Sequence, residues 1–184
     1  MYWLGTMYNE GQGVSVNHCE ASQWFLKAAE RGHYQSQFCL GSMYEKGQGV
    51  PQNLHETIRW WRSAAEEGDS MAQYKLGLMY AQGSGVAEDP VEARRWVEKA
   101  AGQGETRAFY NLGILYRAEP KDYIQAHKWL SLSVMNHEHE AEAHAMKTGL
   151  ETVMTHVQIA EAENLAREWA SKVKNPARKG GVLY

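Results

Sequence analysis

The sequence has little cysteine, no long apolar run and no excess of charge of one sign. Its two cysteines, Cys19 and Cys39, do not recur at a fixed offset. That excludes a disulfide-stapled scaffold, which presents a spaced framework of thiols, and free, partly buried thiols are expected instead. No apolar stretch approaches the roughly 20 residues needed to span a bilayer. Lys and Arg number 19 against 22 Asp and Glu, a net charge of −3. With no basic cluster, the phosphate footprint of a nucleic-acid binder is missing. A basic leader followed by an apolar segment is missing too. The chain opens on Met1-Tyr2-Trp3-Leu4-Gly5, already inside the pattern described next, so the start of the first helix reads as truncated. An upstream repeat or a removed signal peptide would each account for that opening.

What the chain has in quantity is glycine, tyrosine and tryptophan, 17, 10 and 7 of 184 residues, and they recur in register. Leu-Gly-x-x-Tyr stands at Leu4-Gly5-Tyr8, Leu40-Gly41-Tyr44, Leu76-Gly77-Tyr80 and Leu112-Gly113-Tyr116, with the leucines 36 residues apart. A fixed period of roughly 20–50 residues marks a repeat architecture, and the 43% hydrophobic content supports a packed core. Each signature reads as a first helix that buries its Leu and Tyr on one face. The glycine inside it costs helix propensity, about 1 kcal/mol relative to Ala, so its recurrence assigns it to close approach by a second helix.

A glycine turn follows at Gly11-Gln12-Gly13, Gly47-Gln48-Gly49 and Gly83-Ser84-Gly85. A phosphate loop would need a preceding strand; glycines after a helix are better explained as left-handed caps. Second helices are expected to begin at the N-caps Asn17, Asn53, Asp89 and Asp122, with Pro90 at a first helical position. Trp24, Trp60, Trp96 and Trp129 stand seven residues beyond each cap. Spacings of three and four put Ala21, Trp24, Ala28 and their counterparts on one buried face. Gly32, Gly68 and Gly104 would end these helices. The fourth unit is three residues shorter, its turn becomes Arg117-Ala118-Glu119-Pro120-Lys121, and His137 replaces the stop glycine. Terminal repeats are atypical where they face solvent. Two further helices, about 140–154 and 156–171, form a capping hairpin, the second burying Ile159, Ala162, Leu165, Ala166 and Trp169.

The pattern Leu76-Gly77-x-x-Tyr80-x-x-Gly83-x-Gly85-Val86-x-x-Asp89-x-x-x-Ala93-x-x-Trp96-x-x-x-Ala100-Ala101-x-x-Gly104 resembles a Sel-one-like repeat, a relative of the tetratricopeptide repeat. The segment from Gln158 to Trp169 is similar to the usual end of bacterial members. The resemblance implies an all-α, right-handed α-solenoid of antiparallel helix pairs acting as a non-enzymatic adaptor or scaffold. The expected organisation is one domain over 1–173, with repeats at approximately 1–32, 33–68, 69–104 and 105–137, a capping pair over 138–173, and a loose tail at 174–184. The compartment stays open: bacterial cytoplasm, or periplasm or exterior if a leader was removed.

Stacked helix pairs bury one side and curve around the other. The candidate partner-binding groove therefore takes the first-helix positions opposite the buried leucines. These are Ser42 and Lys46, then Lys75, Leu78 and Gln82, then Asn111 and Ile114, with Phe38, Tyr74 and Tyr110 on the shoulder. Lys75 and Asn111 could clamp a peptide backbone or carboxylate. The expected partner is a protein or peptide, with no nucleic acid, no membrane span and no cofactor. A second copy of the chain is a further candidate through the truncated first repeat, where Tyr2 and Trp3 lack a covering helix. A different class of reading rests on His137, Glu140 and His144. If helical from His137, they share a face and could hold a divalent metal in a ligand-binding accessory protein or enzyme. Ser171-x-x-Lys174 and Lys147-Thr148-Gly149 echo serine-hydrolase motifs but stand in reversed order on helices, which chance explains.

Overall fold

The structure, a computed structural model, describes residues 1–118 and 121–174. Among them are ten helices and no strand: α1 (Tyr2–Glu10), α2 (His18–Ala29), α3 (Tyr34–Lys46), α4 (Leu54–Glu66), α5 (Ser70–Gln82), α6 (Pro90–Gly102), α7 (Arg107–Ala118), α8 (Tyr123–Met135), α9 (Glu140–Glu151) and α10 (His156–Lys174). They fall into two compact units, Met1–Trp96 and Val97–Tyr184. Glu119 and Pro120 of the shortened turn, and positions 175–184 of the expected tail, lie outside the described residues.

The boundaries follow from the cap residues. Asn17 accepts from Glu20 N, Asn53 from His55 and Glu56 N, Asp89 from Val91 and Glu92 N, and Asp122 from Gln125 N. Each satisfies backbone donors the helix itself leaves open. At the other end, Gly47 and Gly83 sit at φ 67° and 65° and donate back to Met43 O and Met79 O, the left-handed cap expected of them. Gly49, also in left-handed backbone at φ 72°, has a second reason: a Cβ there would clash with His18 O. The loop of one repeat rests on the helix start of the repeat before.

In the first unit, α1 packs on α2, α2 on α3, α3 on α4 and α4 on α5. The recurring glycine marks the closest approach. A Cβ on Gly5 would meet the Phe25 ring at 2.7 Å, and one on Gly41 would meet Trp61 Cδ1 at 2.5 Å. The second helices are buried on two faces rather than the one expected. Trp60 joins the cluster of Ala21, Phe25, Leu40 and Met43, while its neighbour Trp61 joins that of Ile58, Leu76, Met79 and Trp96. Trp24, expected on the buried face, is only half-buried and has Lys27 over its ring; Phe25 takes the core position at 1% exposure. The tyrosines of the signature are likewise half-buried, because their hydroxyls reach outward: Tyr80 receives a hydrogen bond from Arg62 Nη2.

In the second unit, α8 is the centre, packed by α7, α9 and α10. A Cβ on Gly113 would lie 2.6 Å from Leu130. Ala126, Leu130, Ala143, Leu150 and Ala162 form the core. Trp169 of α10 meets Phe109 and Trp129 edge-on, ring centroids 5.0 and 5.4 Å apart. Ala162 and Ala166 are fully buried; Ile159, Leu165 and Trp169 are half-buried. Where earlier repeats use a stop glycine, His137 takes φ 57° and His139 φ 49°, the only non-glycine residues at positive φ among those described.

Candidate functional site

On α3 and α5 the expected partner-facing residues form an open surface with two corrections. Ser42 and Leu78 are partly exposed, and Lys46 and Gln82 are exposed. Phe38 is half-buried, stacked on Trp61 at 6.1 Å, and its carbonyl accepts from Trp61 Nε1 at 3.2 Å. It supplies an apolar edge held rigid from behind. Tyr74, expected on the shoulder, is 9% exposed and belongs to the interior. Lys75 is not an isolated clamp: its Nζ lies 3.5 Å from Glu45 Oε1 and 5.5 Å from the Trp61 ring centroid. The surface that results has an ion pair across α3 and α5, flanked by a phenylalanine edge, a leucine and polar side chains. An exposed pair of this kind contributes little stability, so its charges remain exchangeable with those of a ligand.

The corresponding positions of the fourth repeat belong to the second unit. Tyr110 is half-buried and stacks on His139 at 4.8 Å. Asn111 is partly exposed, its Nδ2 donating to Arg107 O at 3.1 Å, and Ile114 is partly exposed. The stack explains why His139 is held at the mouth of α9.

The histidine reading loses its geometric premise. Helix α9 begins at Glu140, and His137 and His139 are in left-handed backbone before it. His137 therefore does not continue the helical face of Glu140 and His144; it pairs with Glu140 instead, Nδ1 to Oε2 2.8 Å. Among the described residues no group of three or more His, Cys, Asp and Glu is arranged to hold a metal ion.

Three features escaped the sequence reading. Gln37 and Gln73 are buried and donate to Ala29 O and Ala65 O, at 3.2 and 2.9 Å, tying each first helix to the end of the preceding second helix. Their 36-residue spacing was the available signal. In the second unit, His127 is fully buried and faces Glu151 Oε1 at 3.0 Å, an oxygen Lys147 also reaches at 3.1 Å. The hydrogen bond from His127, with Lys147 adding to it against burial, holds the Glu151 carboxyl below its ordinary range. The third concerns cysteine: Cys19 is exposed rather than partly buried, whereas Cys39 is half-buried and its thiol is pushed up to about 11 by burial, with Asp69 and Glu10 adding repulsion.

No helix among the described residues is long and apolar enough to cross a membrane. The family model of the Sel1 repeat matches residues 1–33, 35–69, 70–105 and 107–136. Among solved structures, a Sel1 repeat protein from Oxalobacter formigenes is 30% identical, with 96% of this chain and 71% of that chain covered and a TM-score of 0.75. A protective antigen present in uropathogenic Escherichia coli strains, displaying an SLR fold, is 25% identical at a TM-score of 0.62; it covers 100% of this chain and 49% of its own. The chain thus spans about half the length of that antigen. No curated protein matches it. Sel1 repeat proteins generally mediate protein–protein interaction and are typically non-catalytic scaffolds. Four matched repeats and a shared helical architecture place this chain in the Sel1 repeat family.

Proposed function

We propose that the protein is a non-enzymatic adaptor that binds a peptide segment of a partner protein on the open face of α3 and α5. The observation that supports this reading most is the Glu45–Lys75 pair, 3.5 Å across α3 and α5. Around it, Phe38 and Leu78 offer apolar contact, and Ser42, Lys46 and Gln82 offer hydrogen-bonding ends. An extended peptide with alternating apolar and charged side chains complements that set. Asn111, Tyr110 and Ile114 occupy the same repeat positions in the fourth unit and are proposed as further contacts.

Panning a displayed random-peptide library on the wild-type protein, then re-testing the enriched peptide on Lys75→Glu with Leu78→Ser, examines the reading. The substituted positions are partly exposed, so the fold is retained, which circular dichroism checks. A peptide that loses binding to the variant supports the proposal. One that binds both proteins equally places the site elsewhere.

A second copy of the chain is a second partner, on α1. The leucines of α3 and α5 that correspond to Leu4 are 1% and 0% exposed because α2 and α4 pack over them, whereas Leu4 is 39% and Trp3 74% exposed. Helix α1 thus presents the face its counterparts use for repeat-on-repeat packing. Light scattering on the eluting wild type and on Trp3→Glu reads this: a dimer lost in the variant supports it, and a wild-type monomer at high concentration refutes it.

A further inference from the structure

The second unit holds a cavity of about 270 Å³ between the second helix of the fourth repeat and the terminal hairpin. Its walls are Ser131, Val134 and Met135 of α8, Lys147 of α9, and Glu163 and Arg167 of α10. We propose that this cavity binds a free α-amino acid with an apolar side chain.

The charges around it are of both signs and loosely paired. The Arg167 guanidinium forms an ion pair with Glu163 at 3.9 Å, longer than a hydrogen bond, and gives one nitrogen to Asn164 Oδ1 at 2.9 Å. Its planar fork has five donors in all, enough to take a carboxylate as well. Lys147 is held in place by Glu151 at 3.1 Å, while His127 fixes the same carboxylate oxygen from the buried side at 3.0 Å. An ammonium has three donors, so Lys147 can serve Glu151 and a ligand together. Ser131 is 7% exposed, and its hydroxyl has His127 Nδ1 at 3.5 Å, the far limit for such a bond. That leaves a buried hydroxyl able to turn toward a ligand oxygen. Glu163 supplies the complement for an ammonium group.

Val134 and Met135 provide the apolar wall. A few convergent polar groups against an apolar lining is the usual composition of a small-molecule site. The volume falls just short of the roughly 300–1,000 Å³ of sites for drug-sized ligands, which suits one amino acid. A free amino acid brings a carboxylate, an ammonium and an apolar side chain together in a body of that size. This site is independent of the peptide face on α3 and α5.

Calorimetric titration and thermal melting with L-leucine and L-methionine test it, beside N-acetyl-leucine, which lacks the ammonium, and leucinamide, which lacks the carboxylate. Both amino acids are expected to bind, raising Tm by about 3–6 °C at tenfold excess over Kd. Each blocked analogue should bind at least about tenfold more weakly. Arg167→Gln, at a largely exposed side chain, should weaken leucine about tenfold without lowering the Tm of the free protein. Glu163→Gln should weaken leucine but leave N-acetyl-leucine unchanged. Absence of heat and of a Tm shift at millimolar leucine and methionine overturns the proposal. So does N-acetyl-leucine binding as well as leucine, which would make the cavity a pocket for a peptide carboxyl terminus.

Discussion

Replacing Gly41 with alanine should destabilise the protein although alanine is the better helix former. A Cβ at position 41 would lie 2.5 Å from Trp61 Cδ1, 2.7 Å from Trp61 Nε1 and 3.2 Å from Thr57 O, against a comfortable separation of about 3.5–4.0 Å. The indole cannot step aside cheaply. It is 0% exposed, stacked on Phe38, and its N–H is committed to Phe38 O at 3.2 Å. Accommodation therefore means parting α3 from α4 by about an ångström. Overpacking of this kind costs about 1–3 kcal/mol, and a buried N–H drawn off its acceptor costs about 1–3 kcal/mol more. The gain in helix propensity returns only about 1 kcal/mol. The net loss is centred near 3 kcal/mol, or a drop in Tm of about 6–12 °C for a chain of this size. Thermal melting by circular dichroism measures it, with Gly149→Ala in α9 as the matched control. A Cβ at position 149 meets nothing within 4 Å, so there the same change should raise Tm by up to about 4 °C. A Gly41→Ala protein as stable as wild type would refute the close-approach account of the repeat glycine.

Other consequences follow from caps, thiols and the buried histidine. Asn53→Ala removes the acceptor of His55 and Glu56 N–H and should lower Tm by about 2–4 °C in the same assay. Cys39, with its thiol near 11 rather than 9.0, should alkylate about a hundredfold more slowly in the native protein than in urea at mildly alkaline pH; peptide mass mapping reads the rate, and equal rates contradict the burial of that thiol. The folded-state carboxyl of Glu151 titrates below its ordinary 4.5. Its stabilisation is therefore present above that value and lost as pH falls through the depressed one. Denaturation of wild type and Glu151→Gln across pH should show a gap above 4.5 that closes on acidification; a gap independent of pH would place the effect elsewhere.

The 36-residue period carried most of the architecture, because a repeat states its helix caps several times over. Asn17, Asn53, Asp89 and Asp122 all cap as expected, and Gly5, Gly41 and Gly113 sit where helices meet. The burial of side chains was less legible. The spacing around Trp60 points to a single helical face, but a helix sandwiched between two repeats buries two faces, and Trp61 occupies the second. Phe25 and Leu130 hold the same register as Trp61, so large apolar residues one place after the tryptophans were a readable signal. The wheel angle puts Tyr74 on the groove's shoulder but does not say how deep a shoulder position lies, and it is 9% exposed. The His127–Glu151 contact had no such signal: it joins α8 to the capping hairpin, where no repeat constrains the register. The helical face drawn through His137 failed because the chain passes through left-handed backbone at His137 and His139 before α9 begins.

The adaptor claim is tested most directly by placing a photo-crosslinking residue at Leu78 on the open face of α5, and separately at Glu66, exposed on α4. With the peptide selected on the wild-type protein, illumination should join it to position 78 and leave position 66 bare. Crosslinking at 66, or equal labelling of the two, would contradict a binding face on α3 and α5.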